Sequence, residues 1–172
     1  LVLGYRWEIP GRFMRGWSIS GTALFRSGTP FSLETGTDAP PVGNVDGVRQ
    51  DRPTILNPSL LGGSIDHPDT SQSILTADSF SVEATFRDGF GNLARNTFRK
   101  DGTSNLNLSI AKEFSLSSDQ NRSLTFRTEI TNLTNHPQFA EPNFQVKSPS
   151  FGRITNTLNA GRMLQFGLQF QF

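Results

Sequence analysis

Residues 163–172 alternate apolar and polar side chains without a break. Leu164, Phe166, Leu168, Phe170 and Phe172 share one parity, and Gln165, Gly167, Gln169 and Gln171 share the other. Successive side chains of a strand point to opposite faces, so this spacing predicts a strand with one hydrocarbon-like face and one aqueous face. Four earlier segments repeat the pattern. Leu1, Leu3, Tyr5, Trp7 and Ile9 oppose Val2, Gly4, Arg6 and Glu8, while Trp17, Ile19, Gly21, Ala23 and Phe25 oppose Ser18, Ser20, Thr22, Leu24 and Arg26. Leu106, Leu108, Ile110 and Phe114 oppose Asn105, Asn107, Ser109, Ala111 and Glu113; Leu124, Phe126, Thr128 and Ile130 oppose Thr125, Arg127, Glu129 and Thr131. The predicted strands therefore cover residues 1–9, 17–27, 104–114, 122–133 and 161–172.

A half-buried strand of a soluble sandwich and a barrel strand in lipid both show this alternation. Three features favour lipid. Each strand is about 9–12 residues, near the length a tilted strand needs to cross the hydrocarbon core. Charges on the apolar parity stand only near strand ends, at Lys112, Arg122 and Arg162, which leaves an uncharged central band. All 10 prolines fall outside the strand cores, as expected where every backbone N–H must serve the ladder in a medium without water.

The connections sort by length. Pro10–Gly16 and Ser115–Asn121 are short, whereas residues 28–103 and 134–160 form long segments. That order matches a barrel with tight periplasmic turns and extended external loops. With Phe172 at the periplasmic end, Tyr5, Trp7, Trp17, Phe114, Phe170 and Phe172 are predicted near the periplasmic headgroup level as an aromatic girdle. Residues 28–103 are rich in Gly, Pro, Ser, Asp and Asn and read as a structureless external loop. Within them, Thr29–Glu34 is expected to continue the second strand and Ser79–Glu83 to form a further short strand. The predicted class is all-β, an antiparallel transmembrane β-barrel segment with long extracellular loops. Five strands cannot close a barrel, since the smallest use about eight. A C-terminal piece of a larger protein is expected, and the segment around Leu1 reads as the middle of a longer chain with no signal peptide.

Composition narrows this mainly by exclusion. At 34% hydrophobic and net charge +1, the 172 residues are neither disordered nor drawn strongly to nucleic acid. No run approaches the roughly 18 apolar residues of a membrane helix, so any crossing uses strands. The absence of Cys removes disulfides and thiolate metal sites.

Several stretches, in this order and spacing, resemble one family. They are Gly16-Trp17-Ser18-Ile19-Ser20-Gly21 running into Arg26-Ser27-Gly28-Thr29-Pro30-Phe31; Phe90-Gly91-Asn92-Leu93-Ala94-Arg95-Asn96; Glu129-Ile130-Thr131-Asn132-Leu133-Thr134-Asn135-His136-Pro137-Gln138-Phe139; and Phe151-Gly152-Arg153-Ile154 before the terminal strand. Together they are similar to the C-terminal end of TonB-dependent outer-membrane receptors of the Oar-like group, which carry a carboxypeptidase-regulatory-like N-terminal domain. Only residues 34–86 lack a clear match. The resemblance implies a barrel of about 22 strands with an N-terminal plug, of which this chain would supply the last five strands; the plug and the TonB-contacting segment are absent from it. It also implies uptake energised through TonB, of a substrate that the residues do not identify. The family's assembly signal maps onto Leu164, Phe166, Leu168, Phe170 and Phe172, which implies the barrel-assembly machinery as a partner alongside outer-membrane lipid.

The candidate chemistry is sparse. Arg6, Glu8, Arg26, Arg127 and Glu129 are predicted to face the lumen, where they would hold a plug or select substrate. His67 and His136 each precede a proline in a loop and read as turn residues. Asp46, Asp51, Asp66 and Asp69 lack the ligand spacing of an EF-hand calcium loop. Asp88-Gly89-Phe90-Gly91-Asn92 is glycine-rich without phosphate-cradling spacing. Asn107, Asn121 and Asn132 head glycosylation-type triplets on or beside strands. Basic and aromatic residues do not interleave, which argues against nucleic acid. No nucleophile, paired carboxylates or metal cluster can be assembled, so neither an enzyme nor a cofactor is expected. The expected function is TonB-dependent transport; the alternatives are a non-transporting outer-membrane anchor or adhesin, and a soluble extracellular β-sandwich module.

Overall fold

The computed structural model describes residues 1–38, 47, 50–83, 91–116 and 122–172. Its strands are β1 (Val2–Glu8), β2 (Trp17–Arg26), β3 (Pro30–Phe31), β4 (Thr54–Ile55), β5 (Phe80–Ser81), β6 (Phe98–Arg99), β7 (Thr103–Ser115), β8 (Ser123–Thr131) and β9 (Met163–Gln171). Helical structure among the described residues is confined to single 3₁₀ turns at Pro58–Leu60 and Ala77–Ser79. The five long strands form one antiparallel sheet in the order β1-β2-β7-β8-β9. The fold is all-β and antiparallel.

Register makes the alternation into a two-faced sheet. Trp7 pairs with Ile19, Ile19 with Ile110, Ile110 with Thr128 and Thr128 with Phe166, so the apolar parities of all five strands lie on one face. On the other, Arg6 pairs with Ser20, Ser20 with Ser109, Ser109 with Glu129 and Glu129 with Gln165. A one-residue slip in any strand would carry its whole apolar set across the sheet, so the pattern fixes the register. Between β1 and β2 the chain reverses through Gly11 (φ +119°) and Gly16 (φ +80°), closed by Ile9 N–H donating to the Trp17 carbonyl at 3.0 Å. At Gly16 a side chain would also run into the Glu113 carbonyl of β7, so this turn needs glycine twice over. The Ser115–Asn121 connection lies mostly outside the described residues.

The chain divides into two compact units. One comprises Leu1–Arg26, Thr103–Pro137 and Asn159–Phe172; the other comprises Ser27–Gly102 and Gln138–Leu158. In the sheet unit only Ala23, Ser123 and Asn132 are buried among the described residues. Its large apolar side chains are exposed instead, Phe166 at 64% and Leu168 at 70%. This inverts the soluble plan, in which such residues would face a second layer.

The second unit overturns the expectation of a structureless loop. Its core joins Phe31, Leu33, Ile55, Ile65, Leu75, Phe80, Leu93, Phe98, Val146 and Phe151. Thr29–Glu34 does not continue β2: Pro30 and Phe31 form β3 and pair with Arg99 and Phe98 of β6. The reason is burial, since Phe31 and Leu33 are sequestered and Phe31 packs against Phe98 with ring centroids 5.9 Å apart. Phe80 and Ser81, in the segment expected to form a short strand, are β5 and pair with β4. The two long segments are stitched together by main-chain bonds, Glu34 N–H to the Phe144 carbonyl at 3.0 Å and Val146 N–H to the Glu34 carbonyl at 2.9 Å.

Candidate functional site

Four aromatic residues of the expected girdle, Trp7, Trp17, Phe114 and Phe172, define a line across the apolar face. In the register, Trp17 stands two positions toward the short-turn end from the Trp7 row, Phe114 four, and Phe172 six. Six residues at ~3.3 Å against four strand spacings at ~4.8 Å place that line at roughly 45° to the strands. A horizontal girdle on strands tilted by about that angle, as in outer-membrane barrels, has this geometry. Tyr5 sits deeper, and its ring lies across Gly21, where a side chain would meet the phenolic oxygen at 2.6 Å. Phe126 and Phe166 stack at 6.2 Å, and Phe170 and Phe172 at 5.8 Å, so the terminal strand presents contiguous aromatic surface. Lys112 breaks the apolar parity, yet its ammonium lies 5.6 Å from the Trp17 ring and 5.3 Å from that of Phe114, and donates to the Arg15 carbonyl.

The polar face encloses a hollow of about 610 Å³ at the short-turn end, lined from all five long strands. Arg6 and Glu8 of β1 line it and pair at 3.1 Å; Arg127 of β8 lines it and pairs with Glu129 at 3.4 Å. Alternation grouped these four on the polar parity, and the register keeps them on one face of the sheet. Arg26, grouped with them in sequence, ends β2 opposite Thr103, at the far end of the sheet from the hollow. Two lining charges escaped that grouping, Arg15 and Glu113. Glu113 had the right parity, but Arg15 stands in a turn, where alternation has no meaning. Both ion pairs are largely exposed, so each adds only about 0–1 kcal/mol to the sheet. Charges of this kind suit contact with another polar surface better than they suit holding the wall together.

An outer membrane beta barrel domain matches residues 4–165. The chain belongs to that family. No curated protein and no solved structure matches it. Membership places this outer-membrane barrel domain in the outer membrane of a Gram-negative bacterium.

The stretches that set the barrel domain apart in sequence are structural ties. Asn132 is buried in left-handed backbone (φ +53°), which Asn tolerates better than most residues. Its N–H donates to Asn107 Oδ1 at 3.0 Å, its Nδ2 donates to the His136 and Ala160 carbonyls at 3.2 and 3.3 Å, and its Oδ1 accepts from His136 N–H at 3.0 Å. Asn135 Oδ1 accepts from Arg162 N–H at 2.9 Å. Together they close the β8–β9 connection at its base. In the second unit, Asn92 Oδ1 accepts from Ile55 N–H at 2.9 Å, and a side chain at Gly91 would strike the Arg52 and Pro53 backbone. Phe151 meets Phe80 edge-on at 5.7 Å, and Gly152 (φ +73°) lies against the Leu75 backbone.

His67 lies 2.9 Å from Asp66, with both side chains exposed. Asp69 accepts from Ser71 N–H and Oγ at 3.0 and 2.6 Å, an Asx turn whose hydrogen bonds hold its carboxyl below the ordinary value. Asp51 caps Thr35 N–H through its main-chain carbonyl at 2.7 Å. Burial pushes the Glu34 carboxyl above its ordinary value. Among the described residues no three His, Cys, Asp or Glu gather as a metal site. Asp46, Asn121 and the Asp88-Gly89-Phe90 run lie outside the described residues.

Proposed function

We propose that this barrel domain supplies wall strands and external loops to a TonB-dependent receptor of the Oar-like group. The observation that carries the reading is the folded second unit: two segments far apart in sequence share one aromatic core and exchange main-chain hydrogen bonds. Such an ordered external surface is pre-organised to bind, where an unfolded loop would lose ordering entropy on contact. The hollow supports the same reading, because its exposed charges offer polar partners to a plug lying outside residues 1–172. The domain would then supply the last five of about 22 strands, with outer-membrane lipid, the barrel-assembly machinery and TonB as partners. Leu164, Phe166, Leu168, Phe170 and Phe172 would be read by that machinery, and the domain itself has no catalytic or cofactor role.

Display of the folded unit by a non-transporting anchor or adhesin is the second reading, favoured by the same ordered surface. The full-length protein, purified in detergent, is to be tested for retention of the periplasmic domain of TonB. Retention that is lost on deleting the upstream plug supports the receptor; a passenger domain upstream and no retention supports the anchor.

A further inference from the structure

A lipid-facing surface tolerates a charge only where the side chain reaches a headgroup or water. Lys112 stands on that face beside Trp17 and Phe126 of the neighbouring strands, two residues inside the Phe114 position of the girdle. Its ammonium turns toward the short-turn end, where the Arg15 carbonyl takes one of its three N–H donors. Two aromatic rings flank it. No Asp or Glu shares the apolar parity of the five long strands; Glu8, Glu113 and Glu129 all lie on the opposite face. In the neighbouring turn Phe13 stands 96% exposed, and Arg122 follows the same parity as Lys112.

We propose that Lys112, Trp17 and Phe114 seat the phosphate of one anionic phospholipid in the leaflet at the short-turn end of the barrel. The two remaining ammonium donors meet phosphate oxygens. The rings of Trp17 and Phe114 pack against the glycerol and upper acyl chain, at the depth where aromatic residues collect in membranes. The occupant carries net negative charge because Lys112 and Arg122 stand on the apolar parity of the long strands, whereas Glu8, Glu113 and Glu129 stand on the other. A zwitterionic lipid would bring its own cation among them. The proposal rests on membership of the outer-membrane barrel family and is independent of transport.

The test uses the full-length protein refolded in vesicles of phosphatidylethanolamine and phosphatidylglycerol, extracted gently and weighed by native mass spectrometry. Wild type is expected to retain one phosphatidylglycerol that Lys112→Gln retains about fivefold less well, while Lys112→Arg keeps it. Folding of each variant is verified by the heat-dependent mobility shift of intact barrels. If Lys112→Gln does not fold, Trp17→Leu, which leaves the charge in place, is expected to reduce retention. Equal retention by wild type and the folded variant, or equal retention of phosphatidylethanolamine in place of phosphatidylglycerol, overturns the proposal.

Discussion

Asn132 and His136 hold each other reciprocally: the Asn132 amide oxygen accepts the His136 N–H at 3.0 Å, and its amide nitrogen donates to the His136 carbonyl at 3.2 Å. Both bonds run to the backbone of His136, which stands in the turn that its place before a proline suggests, at the foot of the β8–β9 connection.

Replacing Asn132 with Ala removes the partner of the half-buried His136 N–H and one donor to the exposed Ala160 carbonyl, while the His136 carbonyl keeps Asn159 Nδ2. An unmet buried group costs about 1–3 kcal/mol and a half-buried one less. Asn132→Ala is therefore expected to lower the urea midpoint of the folded barrel in detergent, and His136→Ala, which keeps both backbone bonds to Asn132, should lower it less. Equal losses in the two variants would show that the ring rather than the backbone forms the tie.

Gly152→Ala sets a side chain against the Leu75 backbone in a conformation that L-residues rarely adopt. The strain falls on the second unit alone. Limited proteolysis should cut residues 27–102 or 138–158 faster in this variant, while the heat-dependent mobility shift of the barrel is unchanged.

The two perturbed carboxyls predict opposite pH slopes. Glu34, raised by burial, binds its proton more tightly folded than unfolded, so its unfavourable contribution is absent below the unfolded pKa and grows as pH rises through the folded one. Asp69, lowered by Ser71, contributes stability that is present above the unfolded pKa and lost as pH falls through the folded one. Protease resistance of the second unit at neutral pH should therefore rise in Glu34→Gln and fall in Asp69→Asn. Both differences should vanish under acid conditions.

The five-strand sheet was legible because a strand's period of two is written directly into residues such as Leu164, Phe166 and Leu168. The second unit was not. Its strands β3 to β6 are two residues long, too short to show a period, and its core draws on positions as distant as Phe31 and Phe151. Thr29–Glu34 was assigned to β2 because local alternation cannot report that Phe31 is buried against Phe98. The hollow was half legible: parity picked out Arg6, Glu8 and Arg127, but Arg15 enters from a turn. Asn132 stood inside a legible stretch, yet its role depends on a left-handed backbone that the sequence does not display.

The central claim is that alternate residues of each long strand face lipid and lumen. It is tested most directly by placing single cysteines from Leu164 to Gln171 in the refolded full-length protein, attaching a spin label to each, and measuring collisions with oxygen and with a water-soluble nickel chelate. Labels at 164, 166, 168 and 170 should favour oxygen, and labels at 165, 167, 169 and 171 should favour the chelate, with a period of two. A profile without that period, or with all eight positions open to water, would contradict the account.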